Sequence, residues 1–444
     1  MLSESLRMSG PASITGNFER SHWAQVSEPA QQWPVLEGPH DTEIVIIGSG
    51  FTGLSTALHL LDAGKKVTIL EAQQPGFGAS GRNNGQVIPT LTRLDPDGMI
   101  SQYKEAGERL ADLVGGSASL LFDLVRKHGL AAEAEQSGWI QPAHTAGRIK
   151  LSEQRFKQWE KRGAPVRMLD RAAVERLTGS PIWHGGFMND SGGHINPLAF
   201  ARTMAVRVRQ LGGEIFAHSP AQTIRHQNGF WHVQTPRGTV KAHGLLLASH
   251  SYTDAFAADL MPDMAREVVP VLSWQMATEP LSQSQRNAII PARQAVSDTH
   301  GDLYFMRYDA RHQLVTGGAL VIPYRGHERL EGRIGDRLMR IFPQLPSVRF
   351  TAVWNGYIGM TSDYAPRIHQ LGPNGFGWVG CNGRGVALST ALGQEFAKAL
   401  AGEPLDRLAL PLSEIKPLPF HGLIRRLAPV MLLDYRRRDL TEIS

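Results

Sequence analysis

The stretch DTEIVIIGSGFTGLSTALHLLDAGKKVTILEA, Asp41 to Ala72, places three glycines at the end of a hydrophobic run and closes on an acid, Glu71. Ile44 to Ile47 is a continuous β-branched run, the pattern of a strand buried on both faces of a parallel sheet, and it leads directly into Gly48-Ser-Gly50-Phe51-Thr52-Gly53. Gly48 permits a tight turn, Gly50 lets a pyrophosphate approach the backbone, and Gly53 lets a helix lie close on the strand. Leu54, Ala57, Leu58 and Leu61 recur at helical spacing, Ala63-Gly64 ends that helix, and Lys66 to Leu70 reads as a second strand. The helix N-terminus then offers unpaired N–H groups and a positive dipole end to an anion. Glu71 lies 18 residues beyond Gly53, where an acid accepts hydrogen bonds from ribose hydroxyls. Strand, turn, helix, strand and acid in register predict a dinucleotide site; a glycine turn that holds nothing leaves the acid unexplained.

The whole chain has 444 residues, enough for two interleaved or consecutive domains. Hydrophobic content of 42% and charged content of 20% are those of a globular protein. Its 46 basic and 41 acidic residues include no long block of one sign, which argues against nucleic acid as a partner. A single cysteine, Cys381, excludes an internal disulfide and a cysteine-based zinc cage, and fits a reducing compartment. The 17 histidines show no ligand-spaced pair, so no metal is expected. Neither a leader-like apolar region nor a run of roughly 20 apolar residues is present, and the expected location is cytoplasmic.

Downstream of the second strand the chain reads Pro75-Gly-Phe-Gly78-Ala79-Ser80-Gly81-Arg82-Asn83-Asn84-Gly85-Gln86, a turn rich in donors for an anionic ligand. With the SHWAQ prefix and the glycine motif, this segment resembles the D-amino-acid-oxidase-type flavoprotein superfamily, and within it the gamma-glutamylputrescine oxidoreductase group, whose motif reads GASGRNGGQ after an LEA strand end. Asn84 stands where that motif has glycine. The resemblance spans nearly the whole chain. It implies an α/β fold: a Rossmann-like FAD-binding domain with an interleaved mixed-sheet (α+β) substrate domain. The expected FAD-binding parts are 41–86, 191–266 and 350–404, with substrate parts 87–190 and 267–349, a prefix 1–40 and a tail 405–444. It implies FAD held by Gly48, Gly50, Phe51, Thr52, Gly53, Glu71, Ala72, Gly78, Ala79, Ser80, Arg82, Asn83, Asn84, Gly85 and Gln86. Gly383, Arg384, Gly385 and Val386 join them at the start of a last helix aimed at the flavin ring. Sarcosine-oxidase relatives anchor flavin on a cysteine, and the matching position here is Gly356, so the FAD is expected to be non-covalent. Where those relatives place a lysine near the ring, this chain has Val315, which leaves the electron acceptor open.

The prefix carries two tryptophans and is expected to pack over the protein, after a disordered tail covering residues 1 to about 18. Ser101 to Gly129 reads as one long helix with a leucine stripe, and Pro197 opens another. Alternating strands are expected at Val268–Ala277, Asp302–Tyr308 and Gln313–Gly318. From these the catalytic candidates are Trp274, Tyr304 and Arg307. Strict alternation puts Tyr304 and Arg307 on opposite faces, so at most one of them faces a flavin.

The function expected is oxidation of the C–N bond of a small amine or amino acid by hydride transfer to flavin, giving an imine that hydrolyses, with molecular oxygen reoxidising the flavin. The alternatives are a dehydrogenase that passes electrons to a quinone or another acceptor, and a flavin-binding protein without turnover. Leu418 to Arg438 mixes large apolar residues with five arginines. Packing on the FAD domain is the preferred reading of this tail, and contact with a membrane surface the alternative.

Overall fold

The computed structural model describes residues 18–320 and 326–441, so the tail expected for the first residues lies outside the described part apart from Phe18. The first strand, Gly38–Ile47, pairs in parallel with Val67–Leu70 on one side, Ile44 opposite Val67 and Ile47 opposite Leu70, and with Gly238–Leu247 on the other. It begins inside the expected prefix because Gly38 to Thr42 continue the ladder with Gly238 to Ala242. The helix Phe51–Asp62 follows the glycine turn. The full order along this sheet is Arg367–Gly372, Gly375–Val379, Gly238–Leu247, Gly38–Ile47, Val67–Leu70, Glu214–Phe216, with a hairpin of Thr223–Gln227 and Phe230–Gln234 attached to Gly238–Leu247. Ile44 and Ile46 are at most 1% exposed, and each such burial contributes roughly 1.5–3 kcal/mol.

The helix Gly385–Leu400 packs on Phe51–Asp62 at close range: Ser55 Oγ donates to Thr390 O at 2.7 Å, and a Cβ added at Gly393 would lie 2.6 Å from that of Ser55. Both helices therefore start at the same edge of the sheet, which brings the Gly383–Val386 turn beside the Gly48–Gly53 turn.

A second sheet runs in the order Phe350–Met360, Val269–Pro280, Gln313–Gly318, Phe305–Tyr308, Ala295–Ser297, Trp139–Pro142, Gly185–Asn189, Val166–Asp170. It is mixed: Ala295–Ser297 pairs in parallel with Trp139–Pro142, and the other pairings are antiparallel. Phe350–Met360 belongs to this sheet, where it pairs along Val269–Thr278, and not to the FAD-binding part in which it was expected. The long helix expected over 101–129 is two helices, Pro96–Tyr103 and Glu105–His128, broken at Lys104 with φ 55°. Gly107 explains the break, because any Cβ there would strike the carbonyl of Met99, so the two helices meet at a corner only glycine allows. The strand expected over 302–308 is shortened to Phe305–Tyr308.

The prefix forms a short helix, His22–Val26, capped by Ser21, whose hydroxyl accepts from Ala24 N. Trp23 is fully buried, and His22 Nε2 sits 2.7 Å from Asp309 Oδ2. The tail packs on the body, but against Val269–Pro280 of the second sheet and largely through polar contacts: Ile424 and Leu432 are half-buried, while Leu423, Leu427 and Leu433, which packing was expected to cover, are more than half exposed. Among the described residues no helix is long and apolar enough to cross a membrane.

Candidate active site

A cavity of about 290 Å³ opens between the two sheets. The phosphate-type turn (Gly48, Gly50, Phe51, Thr52), the second strand end (Glu71, Ala72), the Gly78–Gln86 loop and the Gly383–Val386 turn all line it, and so do residues of the second sheet. Of the expected cofactor residues, Gly53 and Gly85 are the two outside the lining, and both are backbone necessities. A Cβ on Gly53 would collide with the Gly48 carbonyl; Gly85 has φ 79° and its Cβ would collide with the carbonyl of Ile195.

The residues present fit a dinucleotide. Gly48 has φ 103° and lies against Ala248, where a Cβ would sit 3.1 Å from the carbonyl oxygen. The N-cap, Gly50, supplies no side-chain cap, so the helix leaves amide donors facing the cavity. Ser80 Oγ accepts from Phe51 N at 3.0 Å and would lie 2.9 Å from a Cβ on Gly50, so the cradle is closed on that side by Ser80. Glu71 is 9% exposed and accepts from Ser49 N at 2.9 Å, Ser49 Oγ at 2.6 Å and Gln73 N at 2.9 Å. Its two oxygens offer about four acceptor sites, so one remains for a ribose hydroxyl.

The Arg82–Asn84 backbone is fastened from three distant places. Trp354 Nε1 donates to Arg82 O at 2.8 Å, Trp23 Nε1 to Asn83 O at 2.8 Å, and Arg307 Nε to Asn84 O at 2.7 Å. The two asparagines turn the chain themselves, Asn83 Oδ1 accepting from Gly85 N and Asn84 Oδ1 from Gln86 N. Asn84 thus replaces a glycine with a side chain that closes the loop.

The catalytic candidates lie elsewhere. Arg307 is 1% exposed; besides Asn84 it donates to Ile195 O and Tyr308 O at 2.8 Å, and its guanidinium stacks 4.5 Å from the Trp23 ring. It braces the loop and does not line the cavity. Burial lowers its pKa to about 10. Tyr304 precedes the shortened strand and lies between His300 and Arg337, packed with Met306 and Tyr308 against the second core. Trp274 is in a separate cluster with Met276, Leu330 and Ile334. Alternation explains the outcome: with Trp274 turned away, its neighbours Ser273 and Gln275 line the cavity, and Phe305 and Leu303 do so in place of Tyr304. Tyr252 and Tyr357, which the sequence reading did not select, also line it, their rings 5.9 Å apart. The signal that could have found Ser273, Gln275 and Phe305 was the strand period itself, overridden by the weight given to large side chains.

The electrostatics of the lining are sparse. Among the described residues that line the cavity, Glu71 is the only carboxylate. His250 accepts from Cys381 N at 3.0 Å on Nε2 and faces Ser251 Oγ at 2.8 Å on Nδ1, so it is a neutral imidazole with its lone pair in use. Burial lowers its pKa to about 4. Burial also raises the Cys381 thiol and the Tyr252 and Tyr357 phenols, keeping all three protonated. Arg384 is 6% exposed, donates to Thr90 Oγ1 at 2.8 Å and lies 4.7 Å over Trp139; burial lowers its pKa to about 9.

A family model described as FAD dependent oxidoreductase matches residues 43–399. Gamma-glutamylputrescine oxidoreductase of Escherichia coli is 28% identical over 86% of this chain and 89% of its own length. Among solved structures, L-proline dehydrogenase from P. horikoshii superposes with a TM-score of 0.69 at 18% identity, covering 84% of this chain and 97% of that one. Glycine oxidase from Geobacillus kaustophilus gives 0.67 at 18% identity, over 82% and 96%.

Proposed function

Since the chain belongs to the FAD-dependent oxidoreductase family, which matches it from residue 43 to 399, we propose that it oxidises the carbon–nitrogen bond of a small amine or amino acid, with molecular oxygen as the electron acceptor. The supporting observation is how little acid–base equipment the cavity carries: one carboxylate, Glu71, bound into the dinucleotide turn, and one imidazole whose lone pair is taken. An alcohol substrate needs a base to remove its hydroxyl proton as hydride leaves carbon, whereas a neutral amine supplies the electron pair itself and needs mainly positioning. Bound flavin supplies the hydride acceptor.

The chain's own part is to shape and dry the site. Phe305, Leu303, Ile358 and Ile88 give apolar walls; Ser273, Gln275 and the neutral phenols of Tyr252 and Tyr357 give the few polar groups that orient a substrate. The FAD is held without a covalent bond: Gly356 faces the Arg82 side chain with no nucleophile, and the Cys381 thiol stays protonated. The relative named for gamma-glutamylputrescine brings primary amines with a carboxylate-bearing tail into consideration, and oxygen as acceptor is the part of the proposal that the peroxide measurement below decides.

The test is a panel of primary and secondary amines and amino acids added to the flavoprotein under argon. Bleaching of the flavin by an amine, followed by hydrogen peroxide on admitting air, is the expected result. Bleaching without peroxide would replace oxygen by another acceptor; no bleaching by any amine or amino acid would refute the C–N assignment.

A further inference from the structure

The segment after Lys416 turns much of its apolar surface outward. It forms a helix His421–Leu427, a turn Ala428–Val430 and a helix Met431–Thr441. Its polar side chains hold it to the body. His421 Nε2 lies 2.8 Å from Val268 O, Arg425 pairs with Asp254 at 3.2 Å, and Arg436 with Asp302 at 2.9 Å. Asp439 accepts from Gly301 N and Asp302 N at 2.7 and 3.0 Å. Tyr435 bonds Tyr364 through their hydroxyls.

Ile424 and Leu432 are half-buried against the body, but five other large apolar side chains of this segment go the other way. Phe420 is 82% exposed, Leu423 57%, Leu427 53%, Val430 51% and Leu433 52%. Among the described residues these are five of the seven exposed large hydrophobics, all within 14 positions, whereas an amphipathic helix of a globular protein ordinarily turns its leucines to the core. Single exposed leucines are ordinary, but five large apolar side chains exposed within one short segment are the kind of surface that docks on something. The anchors fix the orientation: rolling the leucines inward would break the Asp254 and Asp302 pairs and the Asp439 hydrogen bonds.

We propose that this face docks on an anionic lipid surface, with Phe420, Leu423, Leu427, Val430 and Leu433 entering the headgroup boundary. The choice of occupant rests on charge. Of the five arginines between Leu418 and Arg438, Arg425 and Arg436 pair with Asp254 and Asp302 of the body and Arg438 with Asp434 of its own helix, and Arg426, Arg437 and Arg438 lie at exposed positions flanking the leucines. An anionic bilayer receives both the apolar row and the cations. A second copy of the chain would instead bring two arginine clusters together. The docking is independent of the substrate, and it sets the body of the protein at a fixed orientation to the bilayer.

The test uses the full chain with FAD bound, in flotation with phosphatidylcholine vesicles made with and without phosphatidylglycerol. The expected result is binding to the anionic vesicles at least tenfold stronger than to neutral ones and weakened by salt. Leu423→Ser, Leu427→Ser and Leu433→Ser together should reduce that binding at least tenfold with flavin content unchanged, and Arg426→Glu should reduce the preference for anionic lipid. Equal partition of the full chain and the triple-serine variant would overturn the proposal. So would a failure of the full chain to bind anionic vesicles, or a dimer in sedimentation that the serine changes dissolve while vesicle binding is absent.

Discussion

Arg307 decides between two readings of the strand Phe305–Tyr308, and replacing it separates them. Its guanidinium donates to three backbone carbonyls, those of Asn84, Tyr308 and Ile195, at 2.7 to 2.8 Å. Arg307→Met leaves all three buried acceptors short of a donor, at about 1–3 kcal/mol each. Against that stands the cost of keeping a buried guanidinium, which its lowered pKa reveals. The net loss expected is about 3–5 kcal/mol, a large share of the 5–15 kcal/mol typical of a folded domain. In thermal unfolding of the 444-residue holoprotein this corresponds to a fall of roughly 3–5 °C. Because the Asn84 carbonyl sits in the flavin loop, the FAD dissociation constant should rise at least tenfold. Arg307→Lys should recover less than half of either effect, since one ammonium cannot span three carbonyls held by a planar fork. The readouts are scanning calorimetry and titration of the apoprotein with FAD. If both variants unfold at the wild-type temperature and keep FAD, yet show a tenfold higher KM for an amine substrate, Arg307 reaches the substrate and the bracing role is wrong.

Glu71→Ala removes the acceptor for a ribose hydroxyl along with that for Ser49 and Gln73, and should weaken FAD binding tenfold or more; an unchanged dissociation constant by fluorescence titration would refute the assignment. His250 is held neutral with a folded pKa of about 4, below its unfolded value near 6.5, so the unfolded chain binds the proton first and stability is lost as pH falls through the window from 6.5 to 4. The loss attributable to His250 is on the order of 2 kcal/mol, allowing for the part of the ring that faces the cavity. His194, buried and shifted in the same direction, adds to it. His250→Gln, which keeps an acceptor for Cys381 N, should flatten the dependence of urea midpoints on pH between 7 and 4.5 without abolishing it; identical slopes for variant and wild type would remove His250 from the account.

That the residues expected to hold a dinucleotide come together at one cavity was legible because they answer to local backbone requirements. Gly48, Gly50 and Gly53, the strand before them and Glu71 after them each answer to a contact within one βαβ unit, and the structure keeps them together. The substrate half was not, because which face of a strand meets the cavity depends on partners far away in sequence. Trp274 and Tyr304 looked suited to an active site by size, yet helix Gly326–Ile341 and the second core claim them, and the smaller Ser273 and Gln275 are left to face the ligand. Phe350–Met360 was misplaced for a related reason: its ladder with Val269–Pro280 joins segments about eighty residues apart, and nothing in its own sequence names the partner. The break at Lys104 was missed because the apolar stripe that suggested one helix starts only at Leu110, and the polar run before it carries no signal of the corner that Gly107 makes against Met99.

The fastening of the Arg82–Asn84 loop constrains the order in which the protein is made. The carbonyls of Arg82, Asn83 and Asn84 are held by Trp354, Trp23 and Arg307, three residues scattered over most of the chain. A growing polypeptide that has just completed the Gly48–Glu71 unit therefore owns the phosphate turn but not the rest of the cradle, and acquires it only when residues beyond 354 have emerged and the two sheets have closed on one another. Contacts of such sequence separation form late and slowly, so uptake of the cofactor should mark the end of folding and not its beginning. Chains that stall before Trp354 would present a glycine turn and an open hydrophobic sheet with nothing yet to fill them, the state in which misassembly competes best with completion.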